Sequence, residues 1–253
     1  MTTRVGTASI TLVDLAAMTV DSSLNCYLTE PGRSETVPVC AYLVQAGGER
    51  YLVDTGAPPE ADCAESYRPL VTGSRRALAE ALPAGTLGAL SGVILTHLHW
   101  DHAGGLDAVP ADVPVFVQQA EVEYALLPLP LHRRGYGRSL THRPAWEDRT
   151  FAVLDGDAVL PGDVRVLFTP GHSPGSQTVM VDSDGSSALL TGDTVPTERN
   201  WRTDTPPGVH TSLLDWYSSM ERLRPLAGLI CPGHGPMFAT AGGPFVPAGA
   251  QAS

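Results

Sequence analysis

One stretch limits what this chain can fold into more than any other: Thr96-His97-Leu98-His99-Trp100-Asp101-His102-Ala103-Gly104-Gly105. It follows Val93-Ile94-Leu95, a short apolar run opened by Ser91-Gly92, which reads as a buried strand. Alternate side chains of an extended chain share a face. If the strand continues past Thr96, then His97, His99 and Asp101 project together and His102 falls out of phase. Ala103-Gly104-Gly105 then lets the backbone turn sharply. Imidazole nitrogen and carboxylate oxygen are zinc ligands, and ligands pointing two ways suit two metals better than one. A polar loop matching HxHxDH by accident has odds on the order of one in a thousand. The stretch is therefore read as a metal-binding loop.

Composition narrows what such a loop can serve. The chain has 253 residues, 43% of them hydrophobic, as in a soluble globular protein. A formal net charge of -11 argues against nucleic-acid or anionic-membrane partners, which need a basic face. All 16 basic residues are arginine, so Schiff-base chemistry and a P-loop lysine are excluded. Asp14 and Asp21 interrupt the apolar N-terminal stretch, and no segment has the roughly 18 apolar residues of a membrane span. A cytoplasmic location is expected, with Cys26, Cys40, Cys63 and Cys231 reduced and buried. Cys231, close before His234, is a lesser candidate for a thiolate ligand.

Along the chain, residues 8–14, 38–45 and 50–53 read as strands, with Ala46-Gly47-Gly48-Glu49 as a hairpin turn. Asp54, ending the third, is read as bracing the metal loop in preference to ligating a metal. Residues 57–73 read as a surface loop and 74–82 as a helix capped by Ser74. Strand 113–117 and helix 118–127 follow the metal loop. The irregular segment 126–146 reads as a lid; its His132 and His142 stand apart from other ligands. Of its arginines, Arg133, Arg134, Arg138 and Arg143, solvation is the commoner fate and contact with an anionic substrate the alternative. Further strands are expected at 151–154, 164–168, 177–181, 188–190 and 229–230. The clearest helix covers 211–224, with Ser212 and Asp215 as its capping pair. Its apolar stripe is Leu213, Trp216, Tyr217, Met220 and Leu223. Residues 1–238 are expected to form one domain and 239–253 a flexible tail.

Three later turns repeat the setting of the first cluster, each a polar side chain after an apolar run and small residues. They are Thr169-Pro170-Gly171-His172, Thr191-Gly192-Asp193-Thr194 and Pro232-Gly233-His234-Gly235. With His97, His99, Asp101 and His102 they supply seven candidate ligands, enough for two zinc ions sharing a carboxylate. A rival motif is Gly171-His172-Ser173-Pro174-Gly175, which matches the G-x-S-x-G elbow of serine hydrolases. That elbow needs a helix after the serine, whereas 177–181 alternates like a strand. It also needs a backbone N–H on the next residue, and Pro174 has none. His210 is read as a loop residue.

The set of His97, His99, Asp101, His102, His172, Asp193 and His234 resembles that of the metallo-β-lactamase superfamily over roughly residues 36–236. The resemblance implies an α/β fold, a four-layer αββα sandwich of two mixed β-sheets flanked by helices, with the site at one edge. It implies His97, His99 and His172 on one metal, Asp101, His102 and His234 on the other, and Asp193 bridging. Asp54 matches the superfamily's buried aspartate that braces the metal loop. Leu52-Val53-Asp54-Thr55-Gly56, the metal loop and Thr169 to Gly175 are most similar to N-acyl-homoserine lactonases. Those enzymes carry a tyrosine three residues after the bridging aspartate, where this chain has Pro196. The glyoxalase II type, with a C-terminal helical domain where 19 residues follow His234 here, and the flavodiiron type, with glutamate where His99 stands, are expected to fit less well.

The resemblance implies a hydrolase that opens a lactone or cleaves an ester with two divalent metal ions, zinc foremost. Asp101 would carry a proton to the leaving group. Thioester hydrolysis, a non-hydrolytic biosynthetic step or an iron-dependent oxygenase reaction are the alternatives on the same scaffold. The expected partner is a small-molecule substrate, with no nucleic acid and no membrane, and the chain acts as a monomer or homodimer.

Overall fold

The computed structural model describes residues 1–59, 70–72, 75–137 and 143–240. Cys63, Ser74, Arg138, His142 and residues 241–253 lie outside these, and with them the expectations placed there.

The first sheet is built from β1 (Thr2–Val5), β2 (Ala8–Asp21), β3 (Ser34–Ala46), β4 (Glu49–Val53), β5 (Val71–Thr72), β6 (Gly92–Ile94), β7 (Val115–Gln118) and β8 (Ala152–Leu154). Its order is β1-β2-β3-β4-β6-β7-β8, with β5 on β2. Pairing is antiparallel as far as β4 and parallel from β4 to β8, so the sheet is mixed. The hairpin between β3 and β4 is the one expected: Ala46 pairs with Glu49, and Gly47 and Gly48 both take positive φ, which a two-residue turn of this hand requires.

The second sheet holds β9 (Ala158–Leu160), β10 (Val164–Phe168), β11 (Gln177–Ser183), β12 (Ser186–Gly192), β13 (Leu229–Pro232) and β14 (Phe238–Ala239), in the order β14-β13-β12-β11-β10-β9. Only β12 and β13 run parallel. Since β10 and β12 are both antiparallel to β11, strands β10, β12 and β13 all end at the same edge.

Adjacent residues on these strands feed different cores, and this places the layers. Val53, Ile94, Val179 and Leu190 pack between the two sheets. Their neighbours Leu52, Val93 and Leu95 pack outward against Leu78 and Leu82 at the second short helix (α2, Leu78–Ala81, the first being α1, Ser22–Asn25) and against Leu106. Leu189 and Ile230 pack outward on the other side, against Trp216, Met220 and Leu223 of the long helix Leu213–Leu223. Strands buried on both faces read as continuous apolar runs, as these do. The four-layer αββα sandwich of two mixed sheets is the architecture observed.

Several boundaries differ from the sequence reading. Strand β2 runs on to Asp21, because a bulge between Asp14 and Ala16 resets its alternation and hides its length. The helix expected over 74–82 is a single turn, α2, entered through Ala77 with no side-chain cap. On the long helix, Trp216, Ser219, Met220 and Leu223 face inward, while Tyr217 is 43% exposed. Positions i, i+3, i+4 and i+7 share one face of a helix, and Tyr217 lies off that stripe. Ser219 keeps its place by donating to the Pro170 carbonyl at 2.8 Å. Ser212 caps the helix as expected, accepting from Asp215 N–H. The chain remains paired through Ala239, one residue into the expected tail. Among the described residues no helix is long and apolar enough to cross a membrane.

Candidate metal centre

Four loops meet where β6, β10, β12 and β13 end, and each carries candidate ligands: His97 and His99, His172, Asp193, and His234. Strand β6 stops at Ile94, and the extended phase does not persist to Asp101 as the sequence reading supposed. Residues Trp100–Ala103 form one turn of helix, α3. Successive helical residues are rotated by about 100°, against 180° in a strand, so Asp101 swings away from His97 and His99. It joins His102 and His234 instead.

Two groups result. In the first, His172 Nε2 lies 3.2 Å from His97 Nε2 and 3.0 Å from His99 Nδ1. In the second, His102 Nε2 and His234 Nε2 are 3.4 Å apart, and Asp101 Oδ2 is 3.5 Å from His234 Nε2. Nitrogens bound tetrahedrally to one zinc at about 2.05 Å would stand about 3.3 Å apart. Asp193 lies between the groups: Oδ1 is 3.3 Å from His102 Nε2 and 3.2 Å from His234 Nε2, and Oδ2 is 3.7 Å from His172 Nε2.

The far side of each ring fixes which nitrogen faces inward. His172 Nδ1 donates to the Val209 carbonyl at 2.7 Å, and His234 Nδ1 to the Pro38 carbonyl at 2.9 Å. His102 Nδ1 donates to Asp54 Oδ2 at 2.8 Å. A carbonyl or an ionised carboxylate can only accept, so these rings hold a proton on Nδ1 and, when neutral, turn the Nε2 lone pair into the centre. Outward bonds of this kind are what metal-bound histidines carry. With both rings neutral, Asp193 Oδ1 is buried among lone pairs with no donor of its own. A divalent cation is the partner this donor set lacks, and the residues fit it.

Electrostatics agrees. Burial, reinforced by neighbouring imidazoles, holds His97 and His99 well below the ordinary histidine range, and burial also lowers His172. Burial pushes His102 and His234 down too, but Asp193 and other nearby carboxylates outweigh it and hold both above the ordinary value. Burial raises Asp193, yet His234 and His102 outweigh it and draw the carboxyl well below the usual range. The centre therefore attracts positive charge on the side of Asp101 and Asp193 and keeps neutral imidazoles on the other.

Asp54 is a brace. It accepts from Thr96 N–H at 2.7 Å and from the Thr96 hydroxyl, tying the start of the metal loop to His102. Its backbone sits at φ 60°, a left-handed conformation that aspartate tolerates better than most residues. Replacing Asp54 by asparagine should weaken metal binding about 10- to 100-fold. Competition titration with a chelator measures this, and unchanged affinity would mean that the brace is idle.

Other candidates fall outside both groups. Cys231 is a core residue of β13 and belongs to neither group. His132 and His210 line the cavity over the centre without joining either group. Arg134 lines that cavity as well, while Arg143 is exposed and pairs with Glu147 and Asp148. Strand β11, and not a helix, follows Ser173, as the argument against a serine nucleophile requires. The carbonyls of Val209 and Pro38 went unnoticed in the sequence, since backbone acceptors have no residue signature.

The cavity has a volume of about 630 Å³, within the range of small-molecule sites. Its floor includes His99, Asp101, His172, Asp193 and His234, and Met18, Val20, Leu24, Leu70 and Trp100 supply apolar wall.

Comparison with known proteins gives the family. The family described as the metallo-beta-lactamase superfamily matches residues 35–234. An N-acyl homoserine lactonase of Bacillus thuringiensis is 35% identical over 219 residues, covering 80% of this chain and 81% of that protein. The crystal structure of a quorum-quenching N-acyl homoserine lactone lactonase superposes with a TM-score of 0.72 at 26% identity, covering 93% of this chain and 94% of that one. A probable metal-dependent hydrolase from Staphylococcus aureus shares the fold, with a TM-score of 0.78 at 17% identity over 92% of this chain and 91% of that one. On the matched length, the level of identity and the shared fold, the chain belongs to the metallo-beta-lactamase superfamily.

Proposed function

We propose that this protein is a metal-dependent lactonase that opens the ring of an N-acyl homoserine lactone or a closely similar acylated lactone, using His97, His99 and His172 for one cation, Asp101, His102 and His234 for a second, and Asp193 for both. The observation that carries the reading is two three-residue ligand groups joined by one carboxylate at the floor of an apolar cavity. The lactonase relative and the lactonase structure support it. We take the cations to be zinc, because five imidazoles and two carboxylates form a set zinc accepts readily.

Such a pair of cations supplies water acidic enough to react at neutral pH and Lewis acidity toward a carbonyl. The chain's own residues do the remainder. The cavity places the lactone over the centre and lays the acyl chain along Val20, Leu24 and Trp100. Asp101, whose Oδ2 is 3.5 Å from His234 Nε2, takes the proton released by the attacking water and returns it to the departing ring oxygen. One carbon–oxygen bond forms and one breaks; water is consumed and a hydroxy acid leaves. One domain, residues 1–238, carries the whole site, and a cytoplasmic monomer or homodimer suffices for it.

A pH-stat panel of acyl homoserine lactones, simple esters and thioesters tests this. One acid equivalent per lactone is expected; turnover of thioesters alone, or dioxygen consumption, would overturn it. The acyl path has its own test in Leu24, 46% exposed at the lip. Leu24→Asp should raise KM for long acyl chains about tenfold, the loss of roughly one leucine contact, and leave short chains almost unchanged. Equal effects on both would place the acyl chain elsewhere.

A further inference from the structure

Glu121 is wholly buried in the first turn of α4 (Gln119–Leu126) and does not face the cavity. Its carboxylate accepts from four donors. Oε1 takes Leu98 N–H at 2.9 Å and the Tyr136 hydroxyl at 3.1 Å. Oε2 takes the Ser173 hydroxyl at 2.6 Å and Gly175 N–H at 3.1 Å. Four donors fill the acceptor capacity of two carboxylate oxygens. Burying a carboxylate is costly, and a bundle of donors offsets that cost only while all of them stay in place.

The donors come from the segments that hold the first ligand group and its cover. Leu98 separates His97 from His99, and Ser173 follows His172. Tyr136 lies edge-on to His99 with ring centroids 4.8 Å apart. The neighbouring Gly135 packs against His99 so closely that a Cβ there would stand 2.7 Å from Nε2, and its carbonyl accepts from Trp100 N–H at 2.9 Å. Gly175 packs on the Glu121 backbone with no room for a side chain. Among the described residues nothing comparable links Glu121 to His102 or His234, which lean on Asp54 and Pro38.

We propose that Glu121 is a positioning residue for the first metal position alone, a single carboxylate that clamps the loops of His97, His99 and His172 together with Tyr136, the neighbour of the cavity residue Gly135. It rests on the two-cation reading above. It also gives Ser173 of the Gly171-His172-Ser173-Pro174-Gly175 motif a role, as a donor to this clamp instead of a nucleophile.

The test uses metal-free full-length protein titrated with zinc against a chromophoric chelator, with imidazole NMR of the loaded protein as the second readout. Wild type should bind two ions. Glu121→Gln cannot accept from all four donors and should weaken one ion about 10- to 100-fold while leaving the other within twofold. The imidazole signals of His97, His99 and His172 should shift and those of His102 and His234 should stay. Tyr136→Phe and Ser173→Ala each remove one donor and should weaken the same ion by a few-fold, so they decide the matter if Glu121→Gln does not fold. If wild type binds two ions and the folded variants bind both as tightly, Glu121 serves stability only and the proposal fails. Equal weakening of both ions also overturns it. Wild type that binds no metal sinks the two-cation reading and this proposal with it.

Discussion

Replacing Asp193 by alanine is expected to lower kcat/KM for a lactone by about a thousandfold or more, roughly 4 kcal/mol of transition-state stabilisation. Among the described residues, Asp193 is the one side chain with an oxygen toward each ligand group, 3.2 Å from His234 Nε2 on one side and 3.7 Å from His172 Nε2 on the other. Its removal takes a ligand and a negative charge from both positions at once. His102 and His234 also lose the carboxylate that does most to hold them above their ordinary range. Metal content should fall from two ions to one or none. The metal-free variant should melt below metal-free wild type, because His102 and His234 lose the buried carboxylate that balances them. Metal analysis, kinetics and thermal unfolding of the same preparation check this. Full activity with two ions still bound would remove Asp193 from the site.

Chelation carries the second large effect, on stability as well as on rate. Without cations, the inward nitrogens of His97, His99 and His172 crowd one another at 3.0–3.2 Å with lone pairs converging. Dialysis against a strong chelator should reduce lactone hydrolysis to background, and zinc should restore it. A ligand at a thousand times its Kd stabilises the native state by about 4 kcal/mol. In a chain of this length that corresponds to a rise in Tm on the order of 10 °C. Calorimetry of the metal-free and loaded protein measures the difference. Identical melting and undiminished turnover after verified metal removal would contradict a metal-dependent site.

The candidate ligands that the structure brings together were legible in the sequence where side-chain identity and local setting coincide. His172, Asp193 and His234 each follow an apolar strand and small residues, and their strands end at one edge because β10, β12 and β13 share a direction. The four-layer fold came from resemblance, since alternation along single strands does not say which sheets stack. The phase of Asp101 was misread because one helical turn at Trp100 replaces the strand, and a four-residue turn leaves no periodicity to detect. Tyr217 looked like core because Trp216 beside it is. Glu121 passed for an ordinary acidic residue in a first helical turn, and only the tertiary meeting of Leu98, Tyr136 and Ser173 reveals its burial.

Anomalous diffraction at the zinc edge, from crystals of the protein purified in zinc-supplemented buffer, tests the central claim most directly. Two peaks are predicted about 3.5–4 Å apart, as in other two-metal sites. One should lie among His97, His99 and His172, the other among Asp101, His102 and His234, with Asp193 contacting both. A single peak, no peak, or ions held by other side chains would contradict the account.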